Sequence, residues 1–454
     1  MSRFLVTLVL MSPSLPLAAG VVESDPAPVS LVSHPLALAC LAVFGLAYVL
    51  VMLEDVIELR KSKPILLASA FIWILISLLD QRLGILPERA KHVLRAELVE
   101  YAELFLFLLV ATAYVNLLDE RGFFRMLCCR ISARRIDYRS LFWMMGWLSF
   151  LLSTVVNNLT TALIVATVTL MIGRDSPRFI SLTCLAAVIA SNAGGAFSPF
   201  GDITTLMVWQ HEKLSFTQFF PLFLPSLINF LVPALCLHWA VPKGAPPYPE
   251  VCLIGTKRGT RIILFLFFAT ILIAVAFEQV FDLPPYLGMM AGLALLMFYA
   301  YQMERRHPKD SFDIFHQLRA VEWDTLLFFF GVVFAVGGLR YLGYLALASE
   351  KIYAGLGPDY ANVLVGFLSA VVDNVPVMLA VLQMDPQMDA FQWQLVTLTA
   401  GVGGSMLAVG SAAGVAMLGQ ARAHYTSLIH LRWSPVIFLG YAASIAVHYW
   451  LNAP

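Results

Sequence analysis

The chain has 454 residues, of which 60% are apolar and 13% charged, against about 45–50% and about 25% in ordinary globular domains. That leaves too little polar surface to wrap a soluble body of this size, which excludes a cytosolic enzyme. Its 29 basic and 29 acidic residues cancel, so no field of one sign favours nucleic acid as a partner. A mean hydropathy of +0.80 and repeated apolar runs near the roughly 20 residues that cross a bilayer indicate an all-α polytopic membrane protein. The six cysteines, Cys40, Cys128, Cys129, Cys184, Cys236 and Cys252, show no CxxC spacing and read as packing thiols.

Residues 1–20 carry Arg3, an apolar run from Phe4 to Met11, and the close Ala18-Ala19-Gly20. Pro13 and Pro16 cut this run too short to span, so it reads as a cleavable signal peptide. Beyond it, about 10 full spans are expected: 33–53, 64–79, 101–118, 178–210, 216–241, 261–279, 284–301, 323–345, 391–419 and 434–452. Two further apolar segments, 140–173 and 361–388, are interrupted at their centres by Asn157-Asn158-Leu159-Thr160-Thr161 and by Asp373-Asn374-Val375-Pro376. Each is read as a re-entrant hairpin that enters and leaves on one side. With the mature N-terminus outside, this assignment puts a roughly threefold excess of Lys and Arg in the cytoplasmic loops, in accord with the positive-inside rule. Those loops hold Arg60, Lys61 and Lys63, and a basic stretch from Gly122 to Arg139 that suits an interfacial helix on anionic lipid.

The two hairpins resemble each other. Leu152-Ser153-Thr154-Val155-Val156-Asn157-Asn158 aligns with Leu368-Ser369-Ala370-Val371-Val372-Asp373-Asn374, with five identities in seven positions. A Gly-rich segment follows each hairpin, and Gly194, Gly195 and Gly201 align with Gly403, Gly404 and Gly410. Each half therefore reads as three spans, a re-entrant hairpin and two spans. Five spans is odd, so the two repeats are expected to be inverted. Paired broken segments in inverted repeats point to a secondary transporter with its site where the repeats meet. Backbone groups cannot stay unpaired in hydrocarbon, so helix breaks at membrane depth survive only when buried in protein or lining a polar cavity.

Asp202 and Asp373 are the acids inside these broken segments. A buried carboxylate holds its proton tightly, and a nearby cation favours its ionised form. One acid can thus hold a proton or help hold a cation, which is the minimal basis of cation/proton exchange. The segments contain no basic residue, so pairing of either acid with a structural Arg or Lys is not expected. Neutral oxygen donors surround them: Asn157, Asn158, Thr160, Asn192, Ser198 and Thr204 in the first half, Asn374, Ser405 and Ser411 in the second, with the freed carbonyls of Gly194 and Gly410. Together with Asp202 and Asp373 these form the candidate set for a small hard cation. Thr161 and Thr205, at the far ends of their clusters, suit a backbone bond as well as a ligand role. Glu97, Glu100 and Glu103 could supply a second proton path, although Glu97 and Glu100 are expected at the outer interface facing Arg89, Lys91 or Arg95. His211 is expected as a solvated loop residue.

These residues match a known family. Asn158 to Leu163, the run Ser191 to Trp209 (SNAGGAFSPFGDITTLMVW), Val372-Asp373-Asn374-Val375-Pro376 and the run Gly401 to Gly414 (GVGGSMLAVGSAAG) closely resemble the NhaD-type sodium/proton antiporters of the ArsB/NhaD branch of the ion-transporter superfamily. The likeness extends from Val51 to the final span. It implies exchange of Na⁺ or Li⁺ for H⁺ with no cofactor, Asp202 and Asp373 as functional acids, a homodimer, and location in a bacterial inner membrane. It also implies a fixed scaffold with a mobile transport part moving in elevator fashion. On that division residues 31–139 and 261–345 form the scaffold, and residues 140–241 and 361–454 the transport part. One departure stands out: the family pattern has Asp where this chain has Asn157, and Pro where it has Thr154. A sodium-coupled transporter of a carboxylate or other anion is the alternative, opposed by the absence of Arg or Lys from either hairpin tip. A membrane enzyme using the two acids as a pair is less favoured, since an inverted repeat has no particular use there.

Overall fold

The spacing of prolines and small capping residues sets where helices begin. Pro35, Pro87, Pro177, Pro285 and Pro358 each open a helix, where the missing N–H costs nothing and the fixed φ already suits the first turn. The structure is a computed structural model that describes residues 31–57, 59–132, 136–173, 175–246 and 255–453. The signal-peptide assignment to residues 1–20, and Cys252, lie outside the described residues, as do the side chains of Cys128 and Cys129.

All regular structure among the described residues is helical. The first half comprises α1 (Pro35–Met52), the short α2 (Glu54–Ile57), α3 (Ser62–Leu83), α4 (Pro87–Glu120), α5 (Phe123–Ser132), α6 (Tyr138–Leu152), α7 (Asn158–Ile172), α8 (Pro177–Gly195), α9 (Ile203–Gln210) and α10 (Phe223–Ala240). The second comprises α11 (Thr260–Phe281), α12 (Pro285–Arg306), the short α13 (Ile314–Arg319), α14 (Trp323–Tyr341), the short α15 (Tyr344–Ser349), α16 (Pro358–Val371), α17 (Asn374–Met384), α18 (Ala390–Gly403), α19 (Ala412–Gln420) and α20 (Ser427–Asn452). Nine helices among the described residues are long and apolar enough to cross a membrane, which makes this an all-α polytopic membrane protein. The expected span at 391–419 is not among them, because it is interrupted between Gly403 and Ala412 and leaves pieces of 14 and 9 residues.

The order of elements recurs: three long helices, two short helices meeting at a polar tip, a broken helix, and a closing long helix. The hairpin arms have 15, 15, 14 and 11 residues, each short of the roughly 20 needed to span. Equivalent caps share their backbone geometry. Asn157 (φ −52°, ψ 155°) caps α7 as Asp373 (φ −43°, ψ 137°) caps α17. Asp202 (φ −144°, ψ 153°) caps α9 as Ser411 (φ −147°, ψ 152°) caps α19.

Packing exchanges elements between halves. Each hairpin's first arm packs on the upstream piece of its own broken helix, α6 on α8 and α16 on α18, while α7 packs on α19 and α17 on α9 across the halves. Helix α10 packs on α20, and α3 lies between α1 and α14. Buried side chains fall into two cores. One joins α1, α3, α4, α11, α12 and α14 with α9, α17 and parts of α16 and α18; the other joins α6, α7, α8, α10, α19 and α20 with the remaining parts of α16 and α18.

The aligned glycines act as close-approach points. A Cβ on Gly194 would lie 2.1 Å from the Phe150 carbonyl oxygen, and one on Gly403 would lie 2.3 Å from that of Gly366. A Cβ on Gly201 would meet the Ser153 carbonyl at 2.4 Å, and one on Gly410 that of Ala370 at 2.5 Å. The obstacle in each case is backbone, which cannot rotate away, so overpacking of about 1–3 kcal/mol is expected. Gly194→Ala and Gly403→Ala should therefore each lower the unfolding midpoint of the detergent-solubilised protein by several degrees. Gly419→Ala, which meets nothing within 4 Å, should leave it unchanged or raised. Thermal unfolding followed by tryptophan fluorescence gives the comparison.

Candidate functional site

Asp202 occupies the break between α8 and α9 and is buried. Its Oδ2 accepts from Asn374 Nδ2 at 2.8 Å and from Asn158 Nδ2 at 3.3 Å. The two asparagines are the first residues of α17 and α7, so one amide comes from each half of the chain. Asn158 Nδ2 also donates to Asn192 Oδ1 at 3.1 Å, and Asn192 Nδ2 donates to the Ser405 and Ser411 hydroxyls, both at 2.9 Å. Six of the expected site residues thus form one continuous buried network. Among the described residues no Lys or Arg pairs with Asp202: its carboxylate, at the N-terminus of α9, rests on the neutral amides of Asn158 and Asn374. The Thr204 hydroxyl is buried and makes no hydrogen bond of normal geometry.

The setting of Asp373 differs, and it corrects the expectation that neither acid has a basic partner. Lys61 Nζ lies 3.3 Å from Asp373 Oδ2, with both side chains largely buried. Lys61 precedes α3 and reaches inward along the Phe328 ring, 4.6 Å from its centroid. Its position in a basic interhelical loop gave no sign of this; packing brings the start of α3 near the α17 cap, and the four-carbon stem carries the ammonium the rest of the way. The same finding removes the objection that no basic group stands at a hairpin tip, although here the ammonium is already paired. Asp373 Oδ1 is buried without a hydrogen-bond partner.

The remaining candidates divide. Asn157 caps α7, its Oδ1 accepting from Thr160 N at 2.8 Å, and with Thr160 and Asp202 it lines a narrow cleft that is bordered on the other side by Phe107, Val115 and Phe267. Ser198 Oγ donates to the Thr154 carbonyl at 2.7 Å, which ties the first break to the first hairpin. Thr205 Oγ1 donates to the Ser198 and Asp202 carbonyls, both at 2.8 Å, and Thr161 Oγ1 to that of Val156 at 3.2 Å. Both hydroxyls serve the backbone. Gly194 and Gly410 sit where helices approach the hairpins closely.

Three acidic and basic positions depart from expectation. Helix α4 begins at Pro87, so Glu97 is nearly three turns inside it, fully buried, 3.0 Å from Arg340 Nη2 and accepting from Gln383 Nε2 at 2.9 Å. Glu100 pairs with His211 Nε2 at 3.2 Å, and the His211 ring is partly buried at the end of α9. Neither acid faces Arg89, Lys91 or Arg95 as expected, because helix periodicity turns both toward the core. His430 also escaped notice. Its Nε2 lies 2.8 Å from the Ser405 carbonyl, which can only accept, so Nε2 carries the proton and Nδ1 accepts from Tyr425 Oη at 2.5 Å. The ring thereby anchors the second break.

Glu97 joins α4, α14 and α17, and removing one partner of a buried charge costs about 3–5 kcal/mol. Arg340→Met should lower the unfolding midpoint substantially. Adding Glu97→Gln to that variant should recover most of the loss, since it removes the uncompensated charge. Thermal unfolding of the two variants beside the parent measures this.

Comparison with known proteins places this geometry. Residues 66–403 match the CitMHS family, described as Citrate transporter. The chain is 49% identical to the Na(+)/H(+) antiporter NhaD of Vibrio cholerae serotype O1, over 91% of each chain. It is 48% identical to the Na(+)/H(+) antiporter NhaD of Alkalimonas amylolytica, over 95% of this chain and 94% of that one. It is also 29% identical to Sodium/proton antiporter 2 of Arabidopsis thaliana, over 89% of this chain and 97% of that one. A match at this identity over this length assigns the family: the chain belongs to the NhaD-type antiporters, within the wider CitMHS family.

Proposed function

We propose that this chain exchanges Na⁺ or Li⁺ for H⁺ across the bacterial inner membrane, as a secondary transporter with no cofactor and no enzymatic activity. The observation that carries this reading is Asp202: a buried carboxylate at a helix break, held by neutral amides of both halves and bordering a cleft. Such a carboxylate can be neutralised by a proton or by a small hard cation, and the two exclude one another. An amide presents a carbonyl oxygen at one end and N–H groups at the other. Rotation of Asn158 and Asn374 therefore turns the shell around Asp202 from donors into cation ligands. Asn192, Ser405 and Ser411 supply further oxygens, and Asp373 supplies the second acid.

The recurring element order and matched caps support inverted repeats with the site at their meeting point. The two cores support a scaffold of residues 31–139 and 261–345 and a transport part of residues 140–241 and 361–454, moving as an elevator in a homodimer. Helices α9 and α17, with parts of α16 and α18, are transport-part elements whose side chains pack into the scaffold's core. The second reading, sodium-coupled movement of a carboxylate, draws on the CitMHS description and on Lys61. It is weaker because Asp373 already neutralises that ammonium.

Asp202→Asn and Asp373→Asn should each lose cation-dependent proton flux while remaining folded. Purified protein in vesicles with an internal pH dye, challenged in turn with Na⁺, Li⁺, K⁺ and a dicarboxylate, provides the test. Flux at the parental rate in either variant would remove that acid from the site. Dicarboxylate-dependent flux would favour the second reading.

Asn157 caps α7 beside the cleft, and Asp at that position would cap equally well while adding a titratable group. If the acid otherwise expected at this position takes part in exchange, the present chain moves fewer protons per cation, and Asn157→Asp should raise that number and shift the pH profile. Reversal-potential measurements in vesicles compare the two stoichiometries. Equal values with superimposable pH profiles would leave Asn157 as a cap alone.

A further inference from the structure

The two site acids are neutralised differently. Asp202 is met by the amides of Asn158 and Asn374. Asp373 has no side-chain capping bond; it is met by an ammonium at 3.3 Å that belongs to the start of another helix, 312 positions away in sequence. Lys61 is held in place from both ends of its residue. Its backbone N–H donates to Glu54 Oε1 at 3.3 Å, and its charged end lies over the Phe328 ring. The groups facing it are Asp373 from α17, Glu54 from α2 and Glu322 before α14, with Tyr48 of α1 beside Asp373. The second oxygen of Asp373 is buried and open, as is the Tyr48 hydroxyl. A monovalent cation entering here finds a carboxylate that already holds a monovalent cation, attached to the protein by four methylenes.

We propose that Lys61 is a tethered competitor for the transported cation at Asp373, and so a specificity-determining residue of the exchange reaction. The proposal rests on the antiport reading above. When the transported cation takes Asp373, the ammonium leaves; when the cation departs, the ammonium returns and the carboxylate is never left buried and unpaired. Because a buried charge without a partner is costly, the pair removes the need for an external cation in the empty site. It also weakens apparent affinity: a site that is free of its internal partner for only a fraction of the time shows a dissociation constant raised by the inverse of that fraction. An ion pair closed about nine-tenths of the time raises it about tenfold. A purely structural tie between α3 and α17 has no such consequence.

The test is Na⁺ binding to the purified full chain, read as the Na⁺-dependent rise in unfolding midpoint at constant ionic strength balanced with choline, beside proton exchange in vesicles. Lys61→Gln should bind Na⁺ about tenfold more tightly. Lys61→Arg should bind it several-fold more weakly, since a guanidinium grips a carboxylate with two parallel bonds. Lys63→Gln, the same charge change at an exposed neighbour, should bind as the parent does. Unchanged or weakened binding in Lys61→Gln, or an equal gain in Lys63→Gln, would overturn the proposal. Should Lys61→Gln fail to fold, Lys61→Arg decides alone, and parental affinity there would overturn it. A parent that exchanges protons for Na⁺ while these variants bind as it does refutes only the role of Lys61. A parent with neither Na⁺ binding nor exchange refutes the antiport reading and this proposal together.

Discussion

A carboxylate buried inside a membrane protein must be given partners, and at Asp202 those partners are two amides, one from each half of the chain. That requirement explains much of the surrounding architecture. The N-terminal turn of α9 must break away from α8 so that Asp202 can cap it, and both hairpin tips must come within reach so that Asn158 and Asn374 can donate. The break in turn exposes backbone that only buried surroundings can tolerate. The other broken helix, with Ser405 and Ser411 accepting from Asn192, closes the network on its far side.

Glycine makes that convergence sterically possible. Gly194, Gly201, Gly403 and Gly410 let helix backbones meet hairpin carbonyls at distances that no side chain would permit. In a bilayer, where apolar burial between helices gives little net attraction, close van der Waals approach is a principal source of cohesion. The same four residues therefore serve both stability and the approach of the hairpins to the broken helices.

Polar groups at both ends of the hairpin arm α17 fix it to α3 and α4. Its N-terminal cap Asp373 meets Lys61 and its last turn carries Gln383, which donates to Glu97. Along α9, Asp202 caps one end and His211 meets Glu100 at the other. Each of these short helices is thus fixed to a neighbour at both ends by polar groups and between them by apolar packing. Polar contacts of this kind hold a discrete arrangement, because sliding the helix by a turn would strand a buried charge.

Much of this was legible in the chain alone. Apolar run lengths determine the membrane class, and the duplicated Leu-Ser-x-Val-Val-[Asn/Asp]-Asn motif identifies both hairpin tips and, through alignment, the glycines that pack on them. These are local properties: a helix start or a tip motif is set by residues within a few positions of one another. What the tertiary structure alone decided is which charged groups meet. Lys61 belongs by sequence to a basic loop, and Glu97 by hydropathy to a membrane boundary, yet one reaches Asp373 and the other is fully buried. Long flexible side chains reach several ångström from their backbones, and their partners lie hundreds of residues away in the chain. No spacing rule encodes such a meeting; it follows only from how the helices pack.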